Sequence, residues 1–237
     1  MRIVTGLFFL GAALCAPGCS DGDGEGGTTD PTPESTALLE ACTLDLLDVF
    51  EELPDLLLVA QGETGGAVVA PSRDPADPRP AFTVHVPIDL DGDGNRDDAV
   101  DGTITFSRDP ALGFAPGDTA SLSWTLVGDD AQGSGTFDLR VTPSGMVEVT
   151  GSGTITTGGC TMDLVIDEAH AVAVPLRTAP QAPSDVALPF EGGRIRFVLE
   201  AGPETLGGTI TRGAATLEVY GADVNGVPVP DFPLGIG

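Results

Sequence analysis

The chain has 237 residues, with 36 acidic against 10 basic and a formal net charge of −26 at pH 7. Every basic residue is arginine, and so acidic a field repels phosphate backbones and anionic lipid surfaces, which excludes nucleic acid as a partner. The lack of lysine also removes the Walker A phosphate grip, the Schiff base and the lysine general base, while 33 glycines, 20 prolines and a single tryptophan favour many short strands and turns.

Met1-Arg2 supplies a short positive start, and Ile3 to Ala16 is an apolar run too short to span a bilayer. It ends in Ala16-Pro17-Gly18-Cys19, and a glycine- and aspartate-rich stretch follows. This start resembles the signal peptide and lipobox of bacterial lipoproteins. The resemblance implies that residues 1–18 are removed, that Cys19 is lipidated as the first mature residue, and that residues 19–34 are a flexible tether. Ser20 in the next position resembles lipoproteins sent on to the outer membrane. The implied partner is a membrane, reached through a lipid anchor on a bacterial envelope protein; secretion without lipid is the alternative. Gly22, Gly24 and Gly27 match G-x-G-x-x-G, but no strand precedes them, so a dinucleotide site fails.

Residues 35–237 read as one domain. Ser35 or Thr36 can cap a helix over Ala37–Phe50, with Leu39, Cys42, Leu46, Val49, Phe50 and Leu53 on one face. Asp45, Asp48, Glu52 and Asp55 share the polar face, and Pro54 is expected to break the helix before a last turn. Gly62 to Pro80 reads as a connecting loop. Period-two alternation then marks a hairpin, Phe82–Leu90 and Val100–Phe106 around an acidic turn, with His85 on its polar side. Further strands centre on Trp124, Leu139, Val149, Leu164, Ile195–Leu199, Leu206–Thr211 and Ala215–Tyr220, with a short one near Asn225-Gly226. Gly153–Leu164 echoes Gly208–Val219, as a duplicated hairpin or as convergence.

The acidic turn carries the sharpest chemical signal. Asp89, Asp91 and Asp93 stand at positions 1, 3 and 5 of D-x-D-x-D-G-x-x-D, Gly94 turns the chain, Asn95 offers a carbonyl, and Asp97 falls at position 9. Position 12, where an EF-hand has a bidentate glutamate, is Val100, and the arms are strands. The loop therefore resembles the calcium hairpins of integrin-type propellers and similar extracellular repeats. That resemblance implies a structural Ca²⁺ ion, weakly held at about 10⁻⁴–10⁻³ M. Asp98 either completes the shell or faces water.

With Cys19 lipidated, Cys42 and Cys160 remain as a pair suited to one disulfide in an oxidising compartment, or to two separately buried thiols. Neither H-E-x-x-H nor C-x-x-C occurs, and no cleft gathering His85 or His170 with two carboxylates is expected. The expected fold is mainly β: an antiparallel β-sandwich or incomplete β-barrel of about nine to eleven strands with one N-terminal helix, pinned by Cys42–Cys160. The leading function is a lipid-anchored, non-enzymatic structural or binding module. The alternatives are a carrier sheltering an amphiphile in the barrel, loosely resembling periplasmic lipoprotein carriers, and a hydrolase.

Overall fold

A computed structural model describes residues 31–60, 68–72, 77–88, 98–177, 190–214 and 216–235. Residues 1–30, Cys19 among them, and the acidic stretch at 89–97 lie outside these residues, whereas Pro33 and Glu34, expected in a tether ending at residue 34, already belong to the helix.

One helix, α1 (Pro33–Ala60), precedes β1 (Val68–Ser72), β2 (Ala81–Ile88), β3 (Asp98–Phe106), β4 (Thr119–Val127), β5 (Ala131–Val141), β6 (Met146–Thr157) and β7 (Cys160–Ile166). Then come β8 (Val172–Pro175), β9 (Arg194–Ala201), β10 (Glu204–Arg212), β11 (Leu217–Val224), β12 (Val227–Pro228) and β13 (Phe232–Leu234). Among the described residues all pairings are antiparallel within one open 13-stranded sheet, ordered β1 to β7 and then β9 to β12, with β8 beside β6 and β13 beside β11. The mainly-β expectation with one N-terminal helix holds, and the sheet does not close into a barrel.

The helix starts earlier and ends later than its sequence signals indicate. Thr32, not Ser35 or Thr36, is the cap: its Oγ1 accepts the Ser35 N–H at 3.1 Å, and Pro33 follows where its missing N–H costs nothing. Pro54 lies inside the helix rather than ending it. It removes one backbone donor, and the tertiary packing outweighs that loss: Phe50, Leu53, Leu56 and Leu57 around it are at most 2 % exposed.

Cys42, Thr43, Asp45, Leu46, Leu47, Val49 and Phe50 are all buried. At 100° per residue they cover an arc of about 200°, more than a flat sheet can bury. The helix touches β1, β2, β6, β7, β8 and β9. On the far side, the Gly235 N–H donates to Glu40 Oε1 at 2.8 Å. The sheet is therefore curled around α1, and both of its edges meet the helix.

Room for this comes from glycine. In register across the sheet, Gly102 pairs with Trp124, Trp124 with Gly135, Gly135 with Gly153, and Gly153 with Leu164. A Cβ on Gly153 would lie 2.6 Å from Trp124 Cζ2, and one on Gly135 would lie 2.9 Å from it. The bare backbone makes a seat for the indole, which stacks on Phe137, which in turn stacks on Phe50 of α1 at 5.5 Å. The concave face is thus filled by the helix.

Three short strands escaped the sequence signals. β1 lies in the expected loop, at the sheet edge where exposed Pro71 needs no ladder partner. β8 and β13 hold only 4 and 3 residues. The short strand expected near Asn225-Gly226 is β12, which follows those two residues directly; they form the turn from β11, with φ of 53° and 80°. The two echoing segments both fall on hairpins, β6–β7 and β10–β11, though the second carries a register shift at Gly207/Thr209.

Candidate functional site

The pairing of β2 with β3 runs from Ala81↔Thr105 to Ile88↔Asp98. Residues 89–97 thus join the ends of two paired strands, as a hairpin loop requires. Asp89, Asp91, Asp93, Asn95 and Asp97 themselves lie outside the described residues. At the foot of the loop, Val100 is 1 % exposed in the core and cannot serve as a ligand. Asp98 does not face water. It is 7 % exposed, and its Oδ1 accepts the Asp129 N–H at 3.3 Å.

Asp45 departs furthest from its place on the expected polar helix face. Because the sheet wraps α1, Asp45 is 8 % exposed, and its Oδ2 is buried with no hydrogen-bond partner. Burial, and then the charge of Asp98, push its carboxyl up to about 6. The helix and the base of the hairpin therefore bring two carboxylates into electrostatic reach. Sequence spacing gave no signal for this pair, since their separation is set by the curl of the sheet.

Charge is divided between the two ends of the sheet. Asp98, Asp129, Asp130, Glu200 and Glu204 lie at the end where Ile88↔Asp98 and Ala201↔Glu204 close. All the described arginines lie toward the other end. There Arg108 pairs with Asp118 at 2.7 Å, Arg177 with Asp55 at 3.0 Å, Arg212 with Glu191 at 2.9 Å, Arg79 with Asp77 at 2.6 Å, and Arg140 with Glu148. The arginines neutralise carboxylates at one end and none of the described ones reaches the other. Arg96 belongs to the loop outside the described residues.

Cys42 and Cys160 are free thiols, both buried, so the expected disulfide is not formed here. The structure does bring α1 and β7 together at this point: burial, Asp45 and Cys160 push the Cys42 thiol up to about 12, and burial and Glu34 raise Cys160. Both thiols pack as small hydrophobes, protonated and inert.

The histidines sit on the outer surface. His85 Nδ1 lies 2.7 Å from Asp101 Oδ1 on the exposed side of the hairpin. His170 Nδ1 lies 3.0 Å from Asp167 Oδ1, and its Nε2 is 3.5 Å from Arg194. Contrary to expectation, a shallow cleft gathers His170 with Glu148 and Glu168. Arg140 holds Glu148 there, and the His170 hydrogen bond draws the Asp167 carboxyl below its usual range.

No protein-family model, curated protein or solved structure matches this chain. Among the described residues no helix is long and apolar enough to cross a membrane, and no three or more His, Cys, Asp or Glu side chains converge as a metal centre.

Proposed function

We propose that this chain is a lipid-anchored protein of the bacterial cell envelope, a non-enzymatic structural or binding module held through Cys19 and stiffened by calcium at Asp89, Asp91, Asp93, Asn95 and Asp97. The observation that carries the calcium part is the β2–β3 ladder, which closes at Ile88↔Asp98 directly below the D-x-D-x-D-G sequence. A filled concave face favours a module over an amphiphile carrier, since the side chains of α1 occupy the space a ligand would need. The lipoprotein-like start supports the anchor, and the acidity of the chain suits a compartment rich in divalent cations.

Membrane fractionation of wild type and Cys19→Ala, with labelled fatty acid, tests the anchor. Label and membrane association are expected in the wild type and lost in the variant; an unlabelled, released wild type would refute it. Thermal melts of the full chain in calcium and in EDTA test the loop, and equal melting temperatures would refute that part. A hydrolase remains the second reading because His170, Glu148 and Glu168 share a cleft. Hydrolysis of ester or glycoside substrates that disappears in His170→Ala would favour it over the module.

A further inference from the structure

We infer that the outer face of β9, β10, β11 and β13 carries a groove that binds a neutral saccharide, with Tyr220 as the platform on which one sugar ring stacks. The ladder registers Arg194↔Thr211, Thr211↔Glu218 and Glu218↔Pro233 place these four residues in one row across the four strands. Tyr220 lies two residues on from Glu218 and on the same face, since Val219 between them is in the core at 0 % exposure. Asp231 lies beside it, with its Oδ1 accepting the Gly221 N–H at 2.9 Å. The groove these residues line has a volume of about 470 Å³, inside the range of about 300–1,000 Å³ usual for small-ligand clefts. Two features set it apart from the surrounding surface. Tyr220 is the chain's single tyrosine and is 56 % exposed, whereas every other described aromatic ring is buried or half-buried. Arg194 is the described arginine without a carboxylate partner: each of the others holds one, while Arg194 Nη1 meets His170 Nε2 at 3.5 Å.

An exposed aromatic ring beside a guanidinium, two carboxylates and a hydroxyl sets hydrogen-bond donors and acceptors around an apolar plane. A pyranose offers the matching surface, an apolar face of C–H bonds rimmed by hydroxyls that both donate and accept. Charge narrows the class to neutral sugars. Glu218 and Asp231 repel a phosphate, a sulfate or a uronic acid, as does the net charge of −26 on the whole chain. A cationic peptide is drawn to the chain at large but not to this row, where Arg194 stands. A second copy of the chain is opposed by the same net charge. Neutral hydroxyls pair with Arg194, Glu218 and Asp231 alike, through charge-assisted hydrogen bonds. The inference rests on the non-enzymatic module proposed above and names the class of ligand that the module holds.

The test uses the full chain and reads both affinity and Tyr220 itself. Affinity electrophoresis through soluble starch, hydroxyethylcellulose and polygalacturonate compares wild type with Tyr220→Ala and Tyr220→Phe. Wild type should be retarded by a neutral glucan and not by polygalacturonate. Tyr220→Phe keeps the ring and should be retarded as wild type is, whereas Tyr220→Ala should bind roughly tenfold more weakly, as for loss of an aromatic anchor. Because the chain has one tyrosine, nitration by tetranitromethane reports on Tyr220 alone, and maltohexaose or cellohexaose should slow it. Wild type unretarded by both neutral glucans, retarded more by polygalacturonate, or matched in retardation by Tyr220→Ala would overturn the inference. Nitration slowed by hexaarginine or by raising the protein concentration, and by neither sugar, would overturn it in favour of a cationic peptide or a second copy. Bound sugar recovered intact supports the groove and the non-enzymatic reading together; bound sugar that is shortened supports the groove and refutes that reading. Glucan ignored by a chain that is still lipidated at Cys19 and stabilised by calcium would overturn the inference and leave the module reading in place.

Discussion

Removing the charge of Asp45 in the absence of metal should make the protein more stable, and the gain should depend on pH. The carboxyl is held at about 6 in the folded chain, against 3.8 for the ordinary group, first by burial and then by Asp98. Between those two values the folded state binds a proton that the unfolded state has released. Stability is therefore fully present below pH 4, falls as pH rises through about 6, and is level above. At 1.36 kcal/mol per pH unit the loss is about 3 kcal/mol. For a domain of this size that is about 6–12 °C in melting temperature. Asp45→Asn carries no such slope. Urea denaturation of both proteins in EDTA between pH 3.5 and 8 isolates the effect, because contributions from groups remote from Asp45 cancel in the difference. Asp77 and Asp167, held low by Arg79 and His170, pull total stability the other way without touching that difference. The two proteins should match in acid and diverge by neutral pH. A difference that stays flat across this range would refute the assignment of Asp45 as a buried carboxyl near Asp98.

Gly153→Val should destabilise by about 1–3 kcal/mol and shift tryptophan fluorescence, since its Cβ lands 2.6 Å from the Trp124 ring; an unchanged emission spectrum would show the indole lies elsewhere. Phe50→Ala, which empties the stack with Phe137 and the edge contact with Phe190, should cost about 3–5 kcal/mol by denaturant titration. Native protein should resist thiol reagents at pH 8, and both Cys42 and Cys160 should react once urea exposes them. Oxidised glutathione added during refolding should join Cys42 to Cys160 by exchange, identified by peptide mapping, and stabilise by about 4–5 kcal/mol.

Strand identity from β2 to β7 was legible because one face is buried and the alternation is clean, as in β4, where Ala120, Leu122, Trp124 and Leu126 are buried and Ser123, Thr125 and Val127 are exposed. The curl was not. It depends on Gly135 and Gly153 facing Trp124 from different strands, and no local pattern marks such a row. The same blindness misplaced Asp45, which sits on a polar helix face by periodicity and in the interior by topology. Pro54 failed as a helix breaker for the related reason that packing on several sides of α1 outweighs one lost hydrogen bond. The loop chemistry was readable residue by residue, whereas the carboxylate that α1 brings toward it comes from elsewhere in the chain, 53 positions before Asp98, and only the fold pairs them.

A helix enclosed by its own sheet has a consequence for the order of synthesis. α1 is the first described element made, and its partners arrive as late as β9 and Gly235. Until then its apolar flanks, from Leu39 to Leu58, lack the surfaces that cover them. Such distant pairings slow folding and leave sticky intermediates exposed. A chain exported from N-terminus to C-terminus would present that helix alone on the far side of the membrane. Its yield should therefore depend on holding chaperones in the receiving compartment more than on the stability of the finished fold.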